Sequence, residues 1–118
     1  MPRRKLQNYL KTYRKRYGLT QTEVAYLLGC RSAAKVSRYE CFTRLPNLKT
    51  VLFYEALFGA PVAEMFAGLY QQVEKEASQR ARILMHELES SKSKRIPTRK
   101  ADLLRAVVVT PDILKENS

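Results

Sequence analysis

Residues 18–40, Gly18-Leu19-Thr20-Gln21-Thr22-Glu23-Val24-Ala25-Tyr26-Leu27-Leu28-Gly29-Cys30-Arg31-Ser32-Ala33-Ala34-Lys35-Val36-Ser37-Arg38-Tyr39-Glu40, decide how this chain is read. Thr20 with Glu23 three places on makes a capping box, because a hydroxyl can accept the Glu23 amide while the carboxylate reaches back to the Thr20 amide. Val24, Leu27 and Leu28 form an inward stripe, and Gly29 closes this short helix. After the turn Gly29-Cys30-Arg31, Ser32 suits the N-cap of a second short helix. Val36 and Tyr39, three apart, face its inner side and leave Lys35, Ser37 and Arg38 outward. A short helix, a glycine-containing turn and a second helix with an exposed basic face are the layout that lets the second helix enter a DNA major groove about 12 Å wide while the first braces it. The same layout also serves as plain scaffold.

Outward from this stretch the helical period continues. Leu6, Tyr9, Leu10, Tyr13 and Tyr17 recur at three and four, predicting a first helix over Leu6–Tyr17 that stops at Gly18. Pro46-Asn47 breaks the chain and caps a fourth helix from Leu48 to Phe58, apolar at Leu48, Val51, Leu52, Leu57 and Phe58 and closed by Gly59. Pro61 opens a fifth, with Val62, Met65 and Phe66. A longer helical stretch from Leu69 to Ser90 carries Leu69, Val73, Ala77, Ala81, Leu84 and Leu88 near one face. Residues 90–100, SSKSKRIPTRK, have the composition of a flexible basic linker. Beyond them Ala106-Val107-Val108-Val109 is β-prone, whereas Leu103 to Leu114 equally suits a short helix. The expected fold is all-α: a five-helix domain over residues 1–69, a C-terminal helix over 70–90 that could serve dimerisation, and a basic linker and flexible tail over 91–118.

Arg14, Gly18-Leu19-Thr20-Gln21, Val24-Ala25, Leu28-Gly29, Val36-Ser37-Arg38-Tyr39-Glu40 and Pro46, in that order, make the segment from Leu10 to Leu69 resemble the Cro/lambda-repressor-like (XRE family) helix-turn-helix DNA-binding proteins. Two departures stand out. The stretch between Gly29 and Val36 is one residue longer than the usual pattern, and Cys41-Phe42 replaces the common glycine after Glu40. The resemblance implies a lambda-repressor-like domain whose partner is double-stranded DNA. It implies that Gln21 bonds a phosphate and supports the third helix, an amide being able to donate and accept there. It places Arg31, Ser32, Ala33, Ala34, Lys35, Ser37 and Arg38 at groove-facing positions. Arg38 or Arg31 could then fork onto guanine, Ala33 or Ala34 could touch a thymine methyl, and Lys35 would meet phosphate. Thr43 and Arg44, in the following loop, become backbone contacts. Arg14 and Glu40 become a structural ion pair tying the first helix to the end of the third.

Charge points the same way. The 118 residues carry a formal net charge of +11, which favours polyanionic partners. Residues 1–70 hold 12 basic and 4 acidic side chains, against 10 and 7 in residues 71–118, so the excess is N-terminal. Arg3, Arg4 and Lys5 suit an arm along phosphates or into a minor groove, and Lys11, Lys15 and Arg16 add to the basic surface. Catalysis is not expected: the one histidine, His86, has no evident nucleophile beside it, and no phosphate loop or metal-ligand cluster is present. Cys30 and Cys41 lack zinc spacing and read as reduced thiols. No cofactor is expected, and the absence of a long apolar run predicts a cytoplasmic, nucleoid-associated protein.

One reading helix covers only a few base pairs, so a homodimer on a palindromic operator is expected, paired through the stretch from Leu69 to Leu88. The leading expectation is a transcription regulator acting as a repressor. The alternative is an antitoxin-like protein whose residues 71–118 bind a partner protein while the DNA-binding head autoregulates its operon.

Overall fold

The computed structural model describes residues 7–91 and 95–116, with side chains as far as Val108, and every regular element among them is a helix. The chain divides into two compact units, Met1–Tyr70 and Gln71–Ser118. The first contains α1 (Leu10–Arg16), α2 (Gln21–Leu27), α3 (Ala33–Glu40), α4 (Leu48–Phe58) and α5 (Val62–Met65). Helix α6 (Ala67–Ser90) begins there and continues into the second unit, which also holds α7 (Thr98–Glu116).

Local chemistry explains where the short helices begin. Periodicity alone extended the first helix back to Leu6, a residue outside those described, but α1 starts at Leu10. The buried Asn8 accepts the Leu10 amide at 3.1 Å and donates to the Tyr39 carbonyl at 2.9 Å, while the Tyr9 amide donates to Met65 O at 2.7 Å. These bonds take the groups a further helical turn would need. At α2 the capping box is complete: Thr20 Oγ1 accepts the Glu23 amide at 3.0 Å, and the Thr20 amide donates to Glu23 Oε1 at 2.8 Å. Donors from Thr20 hold the Glu23 carboxyl below the usual carboxylate range. Ser32 Oγ caps α3 at Ala34, and Asn47 Oδ1 caps α4 at Thr50. Gly29, between α2 and α3, has φ +75°, a left-handed conformation that any side chain would strain.

Among the described residues, helices α2 and α3 make the most extensive contact of any helix pair. Between and behind them lies the core, with Leu10, Val24, Val36, Tyr54 and Met65 almost wholly buried. Burying the Leu10, Val24, Val36 and Met65 side chains contributes about 1.5–3 kcal/mol each relative to leaving them exposed. Tyr13, Tyr17 and Tyr54 surround the Phe58 ring at centroid distances of 5.7, 5.9 and 6.1 Å. Of the apolar positions that sequence placed on the fourth helix, Phe58 is buried and Val51 and Leu57 pack partly, but Leu48 and Leu52 are exposed. Leu27, expected inward on α2, is also exposed.

The second unit corrects one expectation. Residues 98–116 are not a flexible tail but the helix α7. The physical reason is burial: α6 presents Ser78, Ala81 and Met85 at spacings of three and four, all buried, and Ala101 of α7 is buried as well. Ser78 Oγ donates to the Val108 carbonyl at 2.9 Å. No helix among the described residues is long and apolar enough to cross a membrane.

Candidate nucleic-acid interface

Helix α3 is held from behind and open in front. Val36, Tyr39 and Glu40 are buried, whereas Ala34, Lys35 and Arg38 are exposed and Ala33 and Ser37 are half-buried. Arg31 and Ser32, preceding the helix, are exposed, as are Thr43 and Arg44 after it. The geometry thus brings Arg31, Ser32, Ala34, Lys35, Arg38 and Arg44 to the accessible surface around one short helix, and Ser37 less completely. Arg3 and Arg4, with Lys5, lie outside the described residues.

The brace behind this helix is ionic. Arg14 Nε donates to Glu40 Oε2 at 2.7 Å and Arg14 Nη2 to Glu40 Oε1 at 3.1 Å, a two-pronged pair between α1 and the end of α3. Their side chains are only 12% and 3% exposed. The third donor, Arg14 Nη1, reaches the Leu19 carbonyl at 3.0 Å just before α2. Hydrogen bonding to Glu40 raises the Arg14 pKa further, so the guanidinium is permanently charged. Gln21 Nε2 also donates to Glu40 Oε1, at 3.1 Å. Gln21 therefore supports α3 through Glu40, with its second N–H and its carbonyl oxygen left for another partner.

Hydrogen bonding sorts the remaining candidates by what they can offer a phosphate. Ser32 Oγ accepts from Ala34 N and keeps its proton to donate. Thr43 differs: its hydroxyl donates to the Arg38 carbonyl at 3.2 Å, and its amide reaches the same oxygen at 3.0 Å. As placed, Thr43 closes the C-terminus of α3 and has no hydroxyl proton for an anion. Phe42, beside it, adopts φ +66° although it is not glycine. It belongs to Cys41-Phe42, which stands where the resembled pattern has a glycine.

A cleft of about 530 Å³ lies beside α3, lined by Arg31, Ser32, Lys35, Arg44, Asn47 and Thr50 among others. The sequence singled out Asn47 only as the cap of the fourth helix, and Thr50 not at all. Their place in the cleft follows from the turn at residues 41–47, whose course no local pattern specifies. No protein-family model, curated protein or solved structure matches this chain.

All four acidic residues of the first unit are engaged internally. Glu23 caps α2, Glu40 holds Arg14 and Gln21, Glu64 accepts from the Tyr13 hydroxyl at 2.9 Å, and Glu55 accepts the Val62 amide at 3.1 Å. The only carboxylate on α3 is thus turned inward, and among the described residues no ion pair engages Arg31, Lys35 or Arg38. Among the described residues no group of three or more His, Cys, Asp or Glu could hold a metal. His86 is exposed in the second unit, beside a cleft of about 400 Å³ with Arg82, Met85, Glu89, Arg105 and Val108. Cys30 and Cys41 are both free.

Proposed function

We propose that this protein is a sequence-specific binder of double-stranded DNA, acting as a transcriptional regulator of the helix-turn-helix kind and repressing by occupying a promoter. The observation that carries the reading is the two-sidedness of α3: Val36, Tyr39 and Glu40 anchor it, and its outer side is basic, with no ion pair to an acid among the described residues. Such a helix fits a major groove, where a guanidinium can bridge guanine O6 and N7 and a small methyl can meet thymine. Arg38 and Arg31 are the base-reading candidates, Ala33 and Ala34 the methyl contacts, and Lys35, Arg44, Ser32 and Gln21 the phosphate contacts. The Arg14–Glu40 pair fixes the reading helix and touches no base.

The test separates reading from charge. Affinity is measured at about 0.15 M salt for a preferred duplex and for its scrambled counterpart, with wild type, Arg38→Ala and Lys35→Ala. Losing a bidentate base contact costs about 1–3 kcal/mol on the preferred duplex. Arg38→Ala should therefore narrow the gap between the two duplexes, whereas Lys35→Ala should weaken both alike. Equal, steeply salt-dependent binding of wild type to every duplex would remove the sequence-specific reading.

A further inference from the structure

Asn8 falls in the stretch that periodicity alone made helical, yet its side chain joins two distant elements. It is buried, and a buried amide must find both a donor and an acceptor. Its Oδ1 accepts the Leu10 amide at 3.1 Å, and its Nδ2 donates to the Tyr39 carbonyl at 2.9 Å, 31 residues away in the last turn of α3. The chain on either side is fixed as well: the Tyr9 amide donates to Met65 O at 2.7 Å, and Gln7 O accepts the Leu69 amide at 3.3 Å. Asn8 is thus a short strut running from residues pinned to α5 and the start of α6 to the end of α3.

The end of α3 depends on such a strut. The last carbonyls of a helix lack partners within it. Here the Thr43 amide donates to Arg38 O at 3.0 Å and the Phe42 amide to Tyr39 O at 3.3 Å, the pair of bonds that closes a helix on a left-handed residue. That residue is Phe42, at φ +66°, so the closure is strained. Its bond to Tyr39 O is the longer of the two, and the shorter bond to that oxygen comes from Asn8. Arg14 and Gln21 grip the same end of α3 through the Glu40 side chain, which several rotatable bonds separate from the helix axis. Asn8 grips the main chain itself, one residue from Arg38 and on the turn that leads to Arg44.

We infer that Asn8 is a positioning residue for DNA reading: through Tyr39 O it sets the tilt of α3 and the course of the turn after it, and so directs Arg38 and Arg44 without touching DNA. This role rests on the DNA-binding reading. Its physical ground is the narrowness of hydrogen-bond geometry. A guanidinium forked onto guanine needs both bonds within about 2.7–3.2 Å, so a small shift of α3 costs the preferred duplex more than a scrambled one, where the contacts are to phosphate.

Asn8→Asp isolates the strut, because a carboxylate of the same size keeps the acceptor for Leu10 and loses the donor to Tyr39. Affinity for the preferred duplex and its scrambled counterpart is measured with the full chain carrying Asn8→Asp, Arg38→Ala or both, at a temperature where circular dichroism shows each one folded. Phe58→Leu, a core change on α4, is the control for lost stability. In Asn8→Asp the ratio of preferred to scrambled affinity should fall about fivefold or more, as for one displaced bidentate contact. Arg38→Ala should then cost less in the Asn8→Asp background than in wild type, because the contact it removes is already displaced. Phe58→Leu should leave the ratio unchanged. Without DNA, the amides of Phe42 and Thr43 should exchange with solvent faster in Asn8→Asp, relative to that of Leu28 at the end of α2. Asn8→Ser, whose hydroxyl can still accept the Leu10 amide but is too short to reach Tyr39 O, gives the same readings should the carboxylate variant unfold. An unchanged ratio in the folded variant, or full additivity with Arg38→Ala, overturns the inference and leaves the proposed function standing. A wild-type chain that prefers no duplex overturns both.

Discussion

Tyr54 brings a hydroxyl into the core of the first unit, 1% exposed, with no hydrogen-bond partner among the described residues. An unpaired buried hydroxyl costs about 1–3 kcal/mol, and the ring alone makes the contact with Phe58. Tyr54→Phe should therefore be at least as stable as wild type, by about 1 kcal/mol, as read from the urea midpoint. Burial also pushes the Tyr54 pKa well above the ordinary tyrosine range, and burial followed by the hydrogen bond to Glu64 raises Tyr13. Below about pH 10 both phenols are neutral in the folded and unfolded chain and contribute no pH dependence. Above it the unfolded chain ionises first, so stability falls as pH rises, and Tyr54→Phe should reduce that alkaline slope. Phe42 offers a second substitution. Its left-handed backbone costs about 1–2 kcal/mol, and its side chain is 42% exposed. Phe42→Gly should raise stability by up to about 1 kcal/mol, after allowing for the entropy glycine adds to the unfolded state. An unchanged or lower urea midpoint would mean the ring contributes more than its exposure indicates.

At the level of helices, the brace behind α3 is the decisive contact. Glu40 is almost fully enclosed and binds two residues at once, so Glu40→Ala strands the Arg14 guanidinium and should cost about 3–5 kcal/mol. Loss of DNA binding in that variant would report unfolding, and a parallel urea titration would show it. The helix starts were legible in the sequence because caps are local: Thr20 with Glu23, Ser32, and Pro46-Asn47 each act within three residues. The sides of α3 were legible too, since Val36 and Tyr39 fix its inner face. The Arg14–Glu40 pair, 26 residues apart, came only from the family resemblance. The two apolar sides of α4 were not distinguishable, because hydrophobicity marks a residue for burial without naming what buries it. For α7 the sequence left a β-prone Val-rich run and a short helix over Leu103 to Leu114 equally open, because the burial of Ala101 and the bond from Ser78 to Val108 are contacts no local pattern specifies. Limited trypsin digestion followed by mass spectrometry should cut at Arg95, outside any helix, before Arg105, within α7. Equal rates would argue against a stable α7.

Over the whole chain, charge is arranged rather than merely abundant. The first unit uses its four carboxylates on caps and internal bonds, so that among the described residues Arg31, Lys35, Arg38 and Arg44, around one helix, have no ion pair. Affinity for DNA should therefore fall with salt, the logarithmic slope being about 0.9 per phosphate neutralised, and Lys35→Ala should lower that slope by about one. A bound nonspecific polycation would show the slope as well, so sequence preference is the sharper quantity. It is measured most directly by incubating the purified full chain with a pool of random duplexes at about 0.15 M salt, recovering the bound fraction and sequencing it through successive rounds. Reading by α3 in a two-fold dimer predicts enrichment of one inverted repeat with half-sites about one helical turn apart, lost when Arg31 and Arg38 are both changed to Ala. A recovered pool as random as the input would contradict sequence-specific DNA binding.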